Sequence, residues 1–193
     1  MNSLMVADKT FEKVDYKEVV FEKGEYDNCQ FINCDFSNAD FSDVLFVDCV
    51  FKNCNLVMVK LRKTVLRDIQ FEDCKMIGLH FDDCSDFGLS FSFENCTLSQ
   101  SIFYKTKIKK TAFKNCPLKE VDFTDCDLSG AAFDNCDFAD AVFENTKLEK
   151  ADFRSSYNYQ INPSINKIKK AKFSLPSVIG LLTSFDIEIS NLK

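Results

Sequence analysis

Cys34-Asp35-Phe36-Ser37-Asn38 is followed at once by Ala39-Asp40-Phe41-Ser42-Asp43, and these two quintets state the rule that most of the chain obeys. A small residue comes first, a bulky apolar one stands two places later, and polar residues fill the rest. Working outward, bulky apolar residues fall on every fifth position from Phe11 through Tyr16, Phe21, Tyr26 and Phe31 to Phe81, fifteen in succession. After a two-residue slip between Cys84 and Phe93 the beat resumes at Phe93 and runs to Phe153. Neither the 3.6-residue period of a helix nor the two-residue period of a strand fits this spacing, so the chain must be read as a repeat protein.

A longer period lies inside the short one. Every fourth quintet gives Phe11, Phe31, Phe51, Phe71, Phe93, Phe113, Phe133, Phe153 and, beyond an irregular stretch, Phe173. The neighbouring columns mix Tyr, Phe, Leu, Met and Ile, so the coil has twenty residues and four distinguishable faces. The column Phe31, Phe51, Phe71, Phe93, Phe113, Phe133 and Phe153 is the expected core. Its partner column of small inward residues is Cys34, Cys54, Cys74, Cys96, Cys116 and Cys136. All ten cysteines fall on the small inward position, and no C-x-x-C pair occurs. Packing as small hydrophobes is therefore expected rather than a metal or redox centre. A second column, Asn33, Asn53, Asp73, Asn95, Asn115 and Asn135, stands at a corner, where Asn and Asp tolerate left-handed backbone angles.

The pattern resembles the pentapeptide-repeat family, A-(D/N)-L-x-x with Cys or Val in place of Ala and Phe in place of Leu, over residues 11–153. The resemblance implies an all-β fold, a right-handed quadrilateral β-helix with four quintets per coil. The expected organisation is an N-terminal cap over 1–10, the β-helix over 11–153 with its slip near 84–92, and an irregular coil with a cap over 154–193. One further inward repeat lies at 171–175. Pro176 can open a helical turn, and the apolar Val178, Ile179, Leu181, Leu182 and Phe185 that follow suit either a cap on the last coil or a homodimer interface.

The chain carries no Gly-rich phosphate loop, no second histidine beside His80 to support a triad, and acids that recur serially rather than converging in a cleft. These features point away from an enzyme; neither catalytic residues, nor a cofactor, nor a metal site is expected. No apolar run is long enough to span a membrane and the start resembles no secretion signal, so a cytoplasmic location is expected. A net charge of −6 disfavours direct nucleic-acid binding and favours a basic protein partner.

Within the family the chain looks most like Qnr-type, topoisomerase-protecting proteins in size, Phe-rich columns and terminal apolar segment. That resemblance implies a DNA mimic whose partner is DNA gyrase or topoisomerase IV, with quinolone protection as the outcome. Charge is uneven along the chain: Glu22–Asp48 and Lys119–Asp152 are acidic, and 57–114 is net positive. The acids Asp122, Asp125, Asp127, Asp134, Asp137, Asp140 and Glu144 are the candidate partner-binding set. The alternative is a general protein-interaction scaffold using Val47, Val50, Val57, Met58 and Ile77.

Overall fold

A computed structural model describes residues 4–190. Each quintet turns the chain by one corner and each coil returns it to the first face, one strand spacing of about 4.8 Å further along the axis. Two parallel sheets result. One contains β1 (Leu4–Ala7), β3 (Gly24–Asp27), β5 (Leu45–Val47) and β7 (Val65–Arg67), stacked in that order on the fourth face. The other, on the first face, runs β2 (Thr10–Glu12), β4 (Gln30–Ile32), β6 (Val50–Lys52), β8 (Ile69–Glu72), β9 (Phe91–Glu94), β10 (Ala112–Lys114) and β11 (Ala132–Asp134). Register advances by twenty residues, as in Phe31 opposite Phe51 and Phe113 opposite Phe133. Bridges such as Asp35 to Asn55 and Asp122 to Val142 carry the same register along the second and third faces. The fold is an all-β right-handed quadrilateral β-helix.

The corners explain the polar positions. Asn33, Asn53, Asp73, Asn95, Asn115 and Asn135 all adopt left-handed backbone angles near +55°, which short amide and carboxylate side chains accept more readily than most. Their amides also form a ladder. Asn95 donates to Asp73 at 3.0 Å, Asn115 to Asn95 and Asn135 to Asn115 at 2.9 Å each.

Inside, the phenylalanines of the first face stack ring on ring, with centroids 4.7 Å apart between Phe31 and Phe51 and 5.0 Å between Phe113 and Phe133. Phe31, Phe51, Phe71, Phe93, Phe113, Phe133 and Phe153 are buried, whereas Phe11 and Phe173 close the column half-buried. All ten cysteines are buried free thiols. Those of the main column reach back to a carbonyl of the preceding coil, Cys74 to Phe51 at 3.3 Å and Cys136 to Phe113 at 3.5 Å. Burial pushes the Cys49 and Cys126 thiols up to about 12.

The ladder extends at both ends of the repeat. β1 pairs residue for residue with β3, and Val6 lies beneath Tyr26. Val6 stands five residues before Phe11, so the beat starts one quintet earlier, with Val in the bulky place. At the other end the ladder continues past Phe153, through Tyr157 on Asp137, Lys167 on Lys147 and Lys172 on Asp152. Tyr159 and Ile161 are buried there, although their spacing breaks the quintet pattern.

The slip makes Phe71 pair with Phe93 at a register of twenty-two. A 3-10 turn over Phe81–Asp83 opens it, and Phe91 is buried where other coils place Cys29, Cys49, Thr111 or Ala131. Phe87 projects, 71% exposed, with the Arg67 guanidinium 5.4 Å from its ring centroid. The four-stranded sheet ends here, and beyond the slip the fourth face continues as single bridges from Lys107 to Asp127, Lys147 and Lys167.

Candidate protein-binding surface

Because each face is read every twenty residues, neighbours in sequence lie on different faces. The seven candidate acids therefore do not form one row. Asp134 lies beside Phe133 on the first face, bonded to the Ser155 hydroxyl at 2.8 Å. Asp137 is on the second face and Asp140 at the corner after it. Asp122 and Glu144 belong to the third face, Asp125 is at the corner after it, and Asp127 is on the fourth.

Neutralisation separates them further. Asp127 is 6% exposed and lies between Lys109 at 3.4 Å and Lys147 at 3.7 Å. Burial pulls its pKa upward, but the Ser129 hydroxyl and amide, with Lys109, outweigh this and hold it below the ordinary carboxylate value. Asp137 behaves alike: burial opposes ionisation, and Asn158 and Lys119, the latter at 3.2 Å, prevail. Asp122, Asp125, Asp140 and Glu144 have no ion pair among the described residues. Asp122 instead accepts the Thr124 amide at 2.8 Å, which fixes its carboxylate on the face.

Those four acids lie on the third face and its two corners, joined at the leading corner by Glu120, which the linear reading passed over. Glu120 sits one coil before Asp140 at the same left-handed corner, its amide bonded to the Ala139 carbonyl. Spacing by twenty, not density along the chain, is the signal that finds it. Apolar residues interleave with the acids. Ile102, Asp122 and Val142 form one row of bridges, with Val142 40% exposed. Tyr104 is 38% exposed beside them, the Lys105 ammonium 4.6 Å from its ring centroid. A surface with an exposed aromatic, aliphatic neighbours and unpaired carboxylates has the composition of a protein-binding patch with a preference for a basic partner.

The basic band of 57–114 also disperses. Lys60, Arg62, Lys63 and Lys105 lie on the third face, Lys75 on the second, Lys114 on the first, and Lys107, Lys109 and Lys110 on the fourth. Of the scaffold candidates, Met58 is exposed and Val47, Val50, Val57 and Ile77 are half-buried.

The described residues contain no group of three or more His, Cys, Asp or Glu placed to hold a metal ion. The surface hollows are open grooves, such as the one bounded by Ala132, Asp134, Asp152 and Arg154. No helix among the described residues is long and apolar enough to cross a membrane.

The C-terminal segment folds back on its own rod. Gly180 packs on Tyr159 so closely that a Cβ would lie 1.9 Å from the Tyr159 carbonyl oxygen, and the Ile161 amide donates to the Gly180 carbonyl at 2.9 Å. The candidate interface residues divide accordingly: Val178 and Leu181 are half-buried, Leu181 against the core, while Ile179, Leu182 and Phe185 are exposed.

Against known proteins, the family described as a pentapeptide repeat region matches residues 24–92 and 86–162. The chain belongs to the pentapeptide-repeat family. Among solved structures, full-length QnrB1, a plasmid-mediated fluoroquinolone resistance protein, is 19% identical. It covers 95% of this chain and 100% of its own, with a TM-score of 0.57. A trypsin-treated QnrB1 is 21% identical over 98% of this chain and all of its own, with a TM-score of 0.50. HetL, a pentapeptide repeat protein involved in heterocyst differentiation regulation from a Nostoc cyanobacterium, is 13% identical. It covers 88% of this chain and 87% of its own, with a TM-score of 0.38. At these identities the likeness to this pentapeptide-repeat protein is one of fold. No curated protein sequence matches the chain.

Proposed function

We propose that this protein acts by binding and not by catalysis, engaging a basic protein surface through the third face and its two corners, Glu120, Asp122, Asp125, Asp140 and Glu144 with Tyr104 and Val142. The observation that carries this reading is the set of unpaired carboxylates interleaved with exposed apolar side chains on one rigid face. A type II topoisomerase, DNA gyrase or topoisomerase IV, fits as the partner in the cytoplasm, because its DNA-binding groove is basic. The rod would occupy that groove in place of DNA and protect the enzyme from quinolones. Asp137, on the adjoining second face, lies at the rim of such a contact, Asp134 lies on the opposite, first face, and Asp127, held by two lysines, contributes little. The exposed Ile179, Leu182 and Phe185 form a two-fold interface that pairs two rods end to end.

The test is a gyrase supercoiling assay with and without a quinolone, using wild type and the combined variant Asp122→Lys, Asp140→Lys, Glu144→Lys. Wild type protects or inhibits the enzyme and the variant loses the effect. Supercoiling unaffected by either protein removes the topoisomerase from the account.

A further inference from the structure

The fourth face changes character at the slip. Before it, the outward and corner positions hold Glu25, Asp27, Asp48 and Asp68 with a single cation, Arg67, among Leu45, Val47 and Val65. After it, the same positions hold eight lysines against only two acids, Asp127 and Glu149. The first outward row is Lys107, Asp127, Lys147 and Lys167, joined by consecutive parallel bridges. The second contains Lys109 and Lys169, and the corner row contains Lys110, Gly130, Lys150 and Lys170. Inward Ile108, Leu128 and Leu148 are fully buried behind them, so every lysine head points to solvent from a rigid ladder. Asp127 is neutralised by Lys109 and Lys147. The remaining six lysines make no ion pair among the described residues and are exposed.

The corners contribute to the strip. The fourth-face corners before the slip are Asp8, Asn28, Asp48 and Asp68, the residue types that left-handed backbone accepts best. After it, Lys110, Lys150 and Lys170 stand at φ values of 60°, 63° and 62°. Lysine has no local hydrogen bond to offer there. Lysine also stands at such corners elsewhere, at Lys13, Lys63 and Lys105, but only here does it recur on successive coils beside further lysines.

We propose that this strip, Lys107, Lys110, Lys150, Lys167, Lys169 and Lys170, is a docking site for the phosphate backbone of duplex nucleic acid. A protein partner is disfavoured because lysine is depleted at protein interfaces and no aromatic or large aliphatic side chain is exposed between these rows. Single-stranded nucleic acid is disfavoured because the strip offers no ring on which bases could stack. An anionic bilayer would extend over the corners towards the acids beside this face, Asp125 and Glu144 on one side and Asp134 on the other. A duplex touches a flat strip along a line and curves away from them. Contact through lysine and phosphate alone predicts binding without sequence preference. The chain's net charge of −6 averages over faces of opposite sign and does not describe this one.

The experiment measures fluorescence anisotropy of a labelled DNA duplex of mixed sequence with the full chain across a salt series. Parallel arms use the corresponding single strand, phosphatidylserine-containing vesicles and poly-glutamate. The duplex is expected to bind at low salt with a slope of log K against log salt of about −3 to −5, as for three to six phosphates. In Lys110→Gln, Lys150→Gln, Lys170→Gln the slope should fall by about 3, with thermal melting unchanged. A matched variant on other faces, Lys17→Gln, Lys60→Gln, Lys75→Gln, should bind as wild type. Absence of duplex binding at low salt, equal loss in the two variants, or stronger binding in the vesicle, single-strand or poly-glutamate arm overturns the proposal. The third-face acids are intact in both variants, so this result stands apart from the gyrase assay.

Discussion

The side-chain amide of Asn115 donates to Oδ1 of Asn95 at 2.9 Å, one full coil away, while both residues hold left-handed backbone angles, φ 53° and 54°. One residue type thus serves turn and ladder together. Replacing Asn115 with Ala removes the bonds to Asn95 and Asn135 and puts an unassisted side chain in that conformation. The expected loss is about 1–3 kcal/mol, read from urea unfolding. Asn115→Gly keeps the conformation and loses only the ladder, so it should cost less. A glycine variant as unstable as the alanine one would show that the amide ladder, not the turn, dominates.

Phe113 tests the column. It is 1% exposed and stacks on Phe93 and Phe133, with centroids 5.0 Å away on either side. Phe113→Ala should lower stability by about 3–5 kcal/mol, and Phe113→Asp by more, since it buries a charge without a partner. Asn115→Asp, two residues away but facing solvent, should be far milder. Equal melting temperatures for Phe113→Asp and Asn115→Asp would contradict the inward assignment.

Gly180 tests whether the terminal segment caps its own coil. A methyl group there would collide with the Tyr159 carbonyl, so Gly180→Ala should undock the segment and free the Ile161 amide. Hydrogen exchange at Ile161 should accelerate while amides of β9 and β10 stay protected. Unchanged exchange at Ile161 would mean that the contact does not hold the cap.

Asp152 gives a signed pH dependence. The Arg154 guanidinium, bonded to both carboxylate oxygens at 2.9 and 2.8 Å, lowers its pKa to about 2, with Lys172 at 3.3 Å assisting against partial burial. The folded value lies below the unfolded one near 4. The stabilisation is therefore present above about pH 4 and is lost as pH falls towards 2. The side chain is partly exposed, so the effect is modest. The urea midpoints of wild type and Asp152→Asn should differ at pH 6 and converge towards pH 2; a constant gap across that range would rule out the linkage.

The nested periods made the core legible, because an inward residue must be apolar whatever the surface does. Phe31 to Phe153 and the cysteine column could be read directly for that reason. Val6 and Tyr159 were less legible, since a terminal coil has one neighbour and tolerates weaker patterns. The grouping of the candidate acids was read least well. Asp127 and Asp134 are near neighbours in sequence, yet corners place them on different faces, and only ladder register reveals that Glu120 belongs with Asp140. Ion pairing, which removes Asp127 from the usable charge, depends on Lys109 and Lys147, one coil to either side. Gly180 carried no sequence signal, because its need arises from a contact with a backbone carbonyl twenty-one residues earlier.

The central claim is that the third face carries the binding function, and the most direct measurement is the affinity of the full chain for purified DNA gyrase across a salt series. The account predicts that wild type binds and that rising salt weakens it. Asp122→Lys, Asp140→Lys, Glu144→Lys should bind at least about tenfold more weakly, whereas Asp127→Asn, at a carboxylate already neutralised, should bind as wild type. Indistinguishable affinities for wild type and the third-face variant, or no binding by wild type at low salt, would contradict it.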